Sequence, residues 1–272
     1  TGLGGILLFY YSLGQPGFFG DHLFVVLKSQ ADFSEMQGDV DYQAKRKLVY
    51  TKLVKMAEDT QTPLLDQLDK MKIKHTSYYL LNAVEVEGGK LLKWRLEHHP
   101  SVERILESPQ LRPLPQKAVL QPEQLTTTIP TGATWNLTII GADRVKEDLK
   151  ITGSGIVIGQ TDSGVDGKHP ELINSYRGLT SGDDYNWFDP WNRSVFPVDP
   201  AGHGTLTLGV VMGENIGVAP DAEWIGCANL ARNLGNPAYY LDCMQFMLAP
   251  FPQDGDPFKD GDPARGAMVI NN

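Results

Sequence analysis

The sequence predicts two unlike folds in series: a small α+β sandwich, then an α/β domain built on a parallel sheet. Three observations carry this. Over residues 23–106, short apolar runs alternate with stretches of helical period. Residues 108–134 hold five prolines and no period, as an exposed linker does. From Trp135 onward, continuous apolar runs are separated by helical segments. Such runs are buried on both faces, which is the signature of a parallel sheet covered by helices.

The elements follow in order. Residues 2–13 are an uncharged apolar run, shorter than the ~20 residues that span a bilayer. They are expected to be the remnant of a signal segment or membrane anchor within residues 1–20. Residues 23–29 read as a strand. A helix over 43–58 follows, with Val49, Leu53, Met56 and Ala57 on one face. Thr62 as N-cap and Pro63 at the first helical position predict a second helix carrying Leu64, Leu68 and Met71. Residues 77–86 read as one strand, 90–97 as a short helix and 102–106 as a strand. In the second part, strands are expected at 155–162, 222–229 and 267–271, and helices at 202–212 and 237–248.

With 272 residues, 41% hydrophobic and 21% charged, both parts can bury a core. A net charge of −9 argues against nucleic acid as a partner, since a phosphate-binding surface is normally basic. Two cysteines are too few for a disulfide scaffold. Cys227 and Cys243 either pair in an oxidising compartment or sit as small buried apolar residues, and the sequence leaves both open.

Two segments carry chemistry. Residues 156–166 are an apolar run ending on Asp162 and a Ser163-Gly164 turn; residues 202–205 place His203 between glycines at the start of a helix. A serine hydroxyl needs a base within hydrogen-bond reach. Histidine suits that role because its pKa lies near working pH. A buried carboxylate fixes the imidazole tautomer and stabilises the imidazolium. Asp162, at the carboxyl end of a strand where reactive groups of such sheets gather, fits the orienting role and His203 the base. Gly202 and Gly204 are expected to leave His203 uncrowded.

In their order, these segments resemble those of subtilisin-like serine protease precursors. The resemblance rests on Asp162-Ser163-Gly164-Val165, His169-Pro170-Glu171-Leu172, Gly202-His203-Gly204-Thr205, Gly217-Val218-Ala219-Pro220, the run from Trp135 to Ala142, and Val269-Ile270-Asn271-Asn272. The segment Tyr239–Pro250 resembles the bacillopeptidase F-like branch. The resemblance implies a ferredoxin-like inhibitory propeptide over 21–107 and a linker with a processing site over 108–134. After it, residues 135–272 would be the N-terminal part of a subtilisin-type three-layer peptidase domain. It further implies an endopeptidase acting on protein or peptide substrates, outside the cytoplasm, with its own propeptide bound. The nucleophilic Ser and the oxyanion Asn are then expected beyond Asn272, so that residues 1–272 alone would be inactive. Leu234, Gly235 and Asn236 would pair with substrate backbone. Leu206 stands where relatives often carry a second histidine, which would make the surroundings of His203 more apolar. No cofactor is required. Calcium stays open without a ligand set, because the carboxylates of Asp254–Asp262 do not follow EF-hand spacing. The competing readings are a propeptide-type inhibitor or folding chaperone, and a non-catalytic pseudoprotease.

Overall fold

The computed structural model describes residues 4–5, 22–34, 41–108, 134–231 and 234–272. The chain divides into two compact units, one of Thr1–Arg112 with Gly235–Leu248, the other of Pro113–Leu234 with Ala249–Asn272. The expected anchor remnant, apart from residues 4–5, and the linker over 109–133 lie outside the described residues. Among the described residues, no helix is long and apolar enough to cross a membrane. Neither cysteine is free.

The first unit runs β1 (His22–Leu27), α1 (Tyr42–Lys70), β2 (His75–Tyr78), β3 (Ala83–Glu87), α2 (Lys90–Glu97), β4 (Val102–Glu107). Its sheet has the order β2-β3-β1-β4 and is antiparallel throughout, which is the ferredoxin-like split βαβ arrangement. Strand β1 lies between β3 and β4, with Val25 opposite Val84 on one side and Ile105 on the other. Its run Leu23 to Leu27 is apolar at every position because the sheet is covered on both faces. Leu23, Val25 and Leu27 pack with Leu64 and Leu68 of α1 and Leu92 and Leu96 of α2. Phe24 and Val26 point the other way and pack with Tyr78, Ala83 and, from the helix Pro237–Leu248, Ala238 and Leu241.

Two local expectations are corrected here. The predicted break at Thr62-Pro63 does not occur: α1 is one helix of 29 residues with Pro63 inside it. Its buried stripe runs without interruption through Leu53, Val54, Ala57, Gln61, Leu64 and Leu68. Burying that stripe outweighs the hydrogen bond that proline removes. The Thr62 hydroxyl, expected to cap, instead donates back to Glu58 O at 2.7 Å. The single strand expected over 77–86 is two antiparallel strands, β2 and β3, joined by a turn. Gln61 holds that turn from inside, its Nε2 donating to Tyr78 O at 2.9 Å and Asn82 Oδ1 at 2.8 Å. Asn82 Nδ2 donates to Ser29 O and Thr60 Oγ1, both at 2.7 Å. A long-range polar knot, invisible to local periodicity, reverses the chain.

The second unit opens with two helices that the sequence did not announce, α3 (Trp135–Ile140) and α4 (Ala142–Leu149). Then come β5 (Val157–Asp162), α5 (Gly178–Ser181), β6 (Trp187–Phe188), α6 (His203–Met212), β7 (Glu223–Ala228), the short strands β8 (Leu230–Ala231) and β9 (Leu234–Gly235), α7 (Pro237–Leu248, grouped with the first unit) and β10 (Val269–Asn271). The main sheet is parallel with order β10-β5-β7-β6, as the continuous apolar runs predict. Leu208 and Met212 of α6 join Ile158, Tyr176, Trp187 and Trp224 in its core. From β5 the chain first places β6 two positions away on one side, then β7 between them, and only later adds β10 on the other side of β5. The carboxyl ends of β5 and β10 therefore flank the point where the strand order reverses, the place where open α/β sheets bind ligands.

Truncating Leu64, fully buried between α1 and β1, to Ala is predicted to destabilise the first unit by about 2–5 kcal/mol in urea unfolding. Leu91→Ala, on the exposed face of α2, should stay within about 0.5 kcal/mol of wild type.

Candidate active site

Asp162 is the last residue of β5 and is buried. Its backbone carbonyl accepts from Asn229 N at 2.9 Å, continuing the ladder to the strand beside it. Its carboxylate accepts from Ser163 N at 2.6 Å. Gly164 follows with φ +119°, a conformation that L side chains rarely adopt, and a Cβ there would overlap the Val198 carbonyl oxygen.

His203 is the first residue of α6. The start of that helix is organised by Asp199. Asp199 Oδ1 accepts from Ala201 N at 3.1 Å and Gly202 N at 2.8 Å; Oδ2 accepts from Thr205 N at 2.9 Å and Thr205 Oγ1 at 2.7 Å. Asp199 thereby satisfies backbone donors that a helix start leaves without intrahelical partners. Ser163 links this cap to the strand end: its Oγ donates to Asp199 Oδ1 at 2.8 Å and accepts from Gly204 N at 3.1 Å. Gly204 is needed for a reason other than keeping His203 uncrowded. A Cβ on it would overlap the Gly164 carbonyl oxygen, so only glycine lets α6 approach the turn after β5 this closely.

The outcome is a bidentate contact. His203 Nδ1 lies 2.8 Å from Asp162 Oδ1 and 2.9 Å from Oδ2. The Nδ1–H donates to the carboxylate, leaving Nε2 for a proton in transit. About half of the His203 side chain is exposed, whereas the Asp162 side chain is 6% exposed. The hydrogen bond and then the charge of Asp162, with a smaller contribution from Asp199, hold the His203 pKa above the ordinary imidazole value, against a small desolvation effect. An imidazole held in this way can take up and give back a proton at Nε2.

The structure thus brings together Asp162 and His203. Leu234 and Gly235 form β9. Asn236 is buried, and its Oδ1 accepts from Ala238 N at 2.7 Å at the start of α7. Leu206 is 67% exposed. Asp199 escaped the sequence reading; its signal was Asp199-Pro200-Ala201-Gly202 ahead of the helix, a turn with an acidic first residue. Among the described residues, no three His, Cys, Asp or Glu side chains converge as a metal site. Two carboxylates of the Asp254–Asp262 stretch bond within it: Asp256 accepts from Phe258 N at 2.9 Å and Lys259 Nζ at 2.7 Å, and Asp260 from Asp256 N at 2.7 Å.

Residues 153–271 match the family model described as the subtilase family. This segment belongs to the subtilase family. The match takes in both Asp162 and His203. Bacillopeptidase F of Bacillus subtilis (strain 168) is 30% identical over 251 residues, 85% of this chain and 17% of that protein. The alignment thus extends well beyond the subtilase segment and supports placement on the bacillopeptidase F-like branch. The subtilisin-like protease PopC of Myxococcus xanthus (strain DK1622) is 35% identical over 78 residues, 27% of this chain and 16% of that protein. The chain spans about a sixth of the length of these curated relatives. The crystal structure of the epidermin leader peptide processing serine protease from Staphylococcus aureus aligns with a TM-score of 0.53 at 13% identity, covering 84% of this chain and 47% of that one. A mutant form of the same protease gives 0.54 at 14%. At that identity the likeness establishes the fold.

The Asp162–His203 contact predicts a titration. In residues 1–272, His203 should titrate above the usual value of about 6.5. Because its folded pKa is raised, the stability that it contributes is fully present below the unfolded pKa and is lost as pH rises through the folded one. Asp162→Asn should bring the midpoint down to the ordinary range, read from the His203 ring signals by NMR.

Proposed function

We propose that this chain is the propeptide and N-terminal part of the catalytic domain of an extracytoplasmic subtilisin-like serine endopeptidase. The bidentate contact of His203 Nδ1 with the buried Asp162 carries this reading, inside a segment of the subtilase family.

The chemistry assigned to the pair is proton transfer at Nε2. As a serine oxygen attacks the scissile carbonyl carbon, its proton passes to His203 Nε2. Asp162 accepts a hydrogen bond from Nδ1–H throughout and stabilises the imidazolium. The proton then goes to the departing amine nitrogen as the C–N bond breaks. Water repeats the sequence on the acyl-enzyme, and the serine is restored. Ser163 is not the nucleophile in this scheme, since its hydroxyl bridges Asp199 and Gly204 N. The nucleophile and the oxyanion donor are assigned to sequence after Asn272, and residues 1–272 alone to an inactive state. Leu234, Gly235 and Asn236 remain our assignment for substrate backbone pairing.

Residues 21–107 are read as an inhibitory and chaperoning propeptide, with processing in the linker over 108–134. Support comes from the ferredoxin-like unit itself and from α7, which lies within the family-matched segment yet belongs to that unit. Gln245 of α7 accepts from Tyr79 N at 2.7 Å and Leu80 N at 3.2 Å. A template of this kind suits a domain whose parallel strands pair across long sequence separations. The absence of free cysteine among the described residues favours an oxidising compartment. Proteins or peptides are the substrates on this account, no cofactor is required, and neither calcium nor an N-terminal membrane anchor is assigned a role.

The whole protein should hydrolyse an unstructured protein such as casein. His203→Ala should lower kcat by about 10⁴–10⁶-fold with KM little changed. Undiminished hydrolysis by the folded variant would refute the assignment of His203 as base.

A further inference from the structure

Gln160 lies in β5, two residues before Asp162, and is 1% exposed. A primary amide inside a parallel sheet is costly unless its polar atoms are paired. Here both ends are. Nε2 donates to Gly204 O at 3.1 Å and to Thr207 Oγ1 at 2.9 Å. Oε1 accepts from Asn271 Nδ2 at 2.8 Å. Thr207 Oγ1 also donates to Gly204 O at 3.1 Å, closing the set. One side chain therefore ties together the strand that ends in Asp162, the first turn of the helix that begins with His203, and the last residue of β10.

Apolar packing fixes how far a helix stands from a sheet, but it resists sliding and rotation weakly. Directional hydrogen bonds resist both. Gly204, whose carbonyl Gln160 holds, is the residue next to His203. Any shift of α6 along β5 changes the Nδ1–carboxylate contact directly. Asp199 and Ser163 secure the same turn through its N–H groups; Gln160 secures it through its carbonyl and the Thr207 hydroxyl.

We propose that Gln160, oriented by Asn271, is a positioning residue that holds the His203 imidazole in register with Asp162. It rests on the Asp162–His203 reading above and adds to it a connection from β10. Gln160 touches neither imidazole nor carboxylate, so it acts through the backbone of α6. The charged groups that bear on His203 are Asp162 and Asp199, and substituting Gln160 alters neither.

The test uses Gln160→Met, close in length and without donor or acceptor, in residues 1–272. The far-UV circular dichroism should be retained, while the NMR midpoint of His203 falls by about half a pH unit or more toward its ordinary value. In the whole protein the same variant should lose about 10- to 100-fold in kcat at unchanged KM, the cost of a small misplacement of reacting groups. Thr207→Val removes one of the two acceptors while keeping the branched shape, and should move the midpoint in the same direction by less. A folded Gln160→Met with an unchanged His203 midpoint overturns the proposal; if that variant does not fold, Thr207→Val decides by the same criterion. Failure of Asp162→Asn to move His203 would instead refute the pair itself, whatever Gln160→Met shows.

Discussion

The bidentate contact between a buried carboxylate at the end of β5 and an imidazole at the start of α6 is the constraint on which the rest of the site depends. It joins two elements about forty residues apart in sequence, and each must present its last or first residue in register with the other. The parallel sheet supplies the first half of that condition, because its order of strand addition leaves the carboxyl end of β5 at a reversal point. The second half is met by the approach of α6. That approach needs glycine at 204, a cap from Asp199, and the Ser163 hydroxyl bridging the two. Asp162 is buried and His203 half exposed, the division that the proposed roles of orienting group and base require.

Much of this was legible in the sequence. The strands at 157–162 and 223–228 and the helices at 203–212 and 237–248 follow from continuous apolar runs and helical period. Asp162 and His203 stood out because strand-end and helix-start positions are local properties. What escaped was non-local. Pro63 looked like a helix start, because the buried stripe that carries α1 past it is defined only against β1 and α2. The turn between β2 and β3 was hidden in an apolar, aromatic run and is made by Gln61 and Asn82 reaching across the unit. Gln160 read as one more residue of a buried strand, since its partners lie 44, 47 and 111 residues away.

The same distinction separates the glycines. Their clustering around His203 was visible, but one reason was not: Gly204 lets α6 come close to the Gly164 carbonyl. Leu206 is the converse case. Its position three residues after His203 suggested an apolar surround, and the helix leaves it largely exposed.

In the proposed function, His203 is the base for a serine nucleophile. The most direct measurement is mass spectrometry of the whole protein after reaction with a fluorophosphonate, which modifies a serine only where a base activates it. A single serine after Asn272 should carry the adduct, and His203→Ala should abolish it. No adduct on the folded protein, or one that survives the loss of His203, would contradict the account.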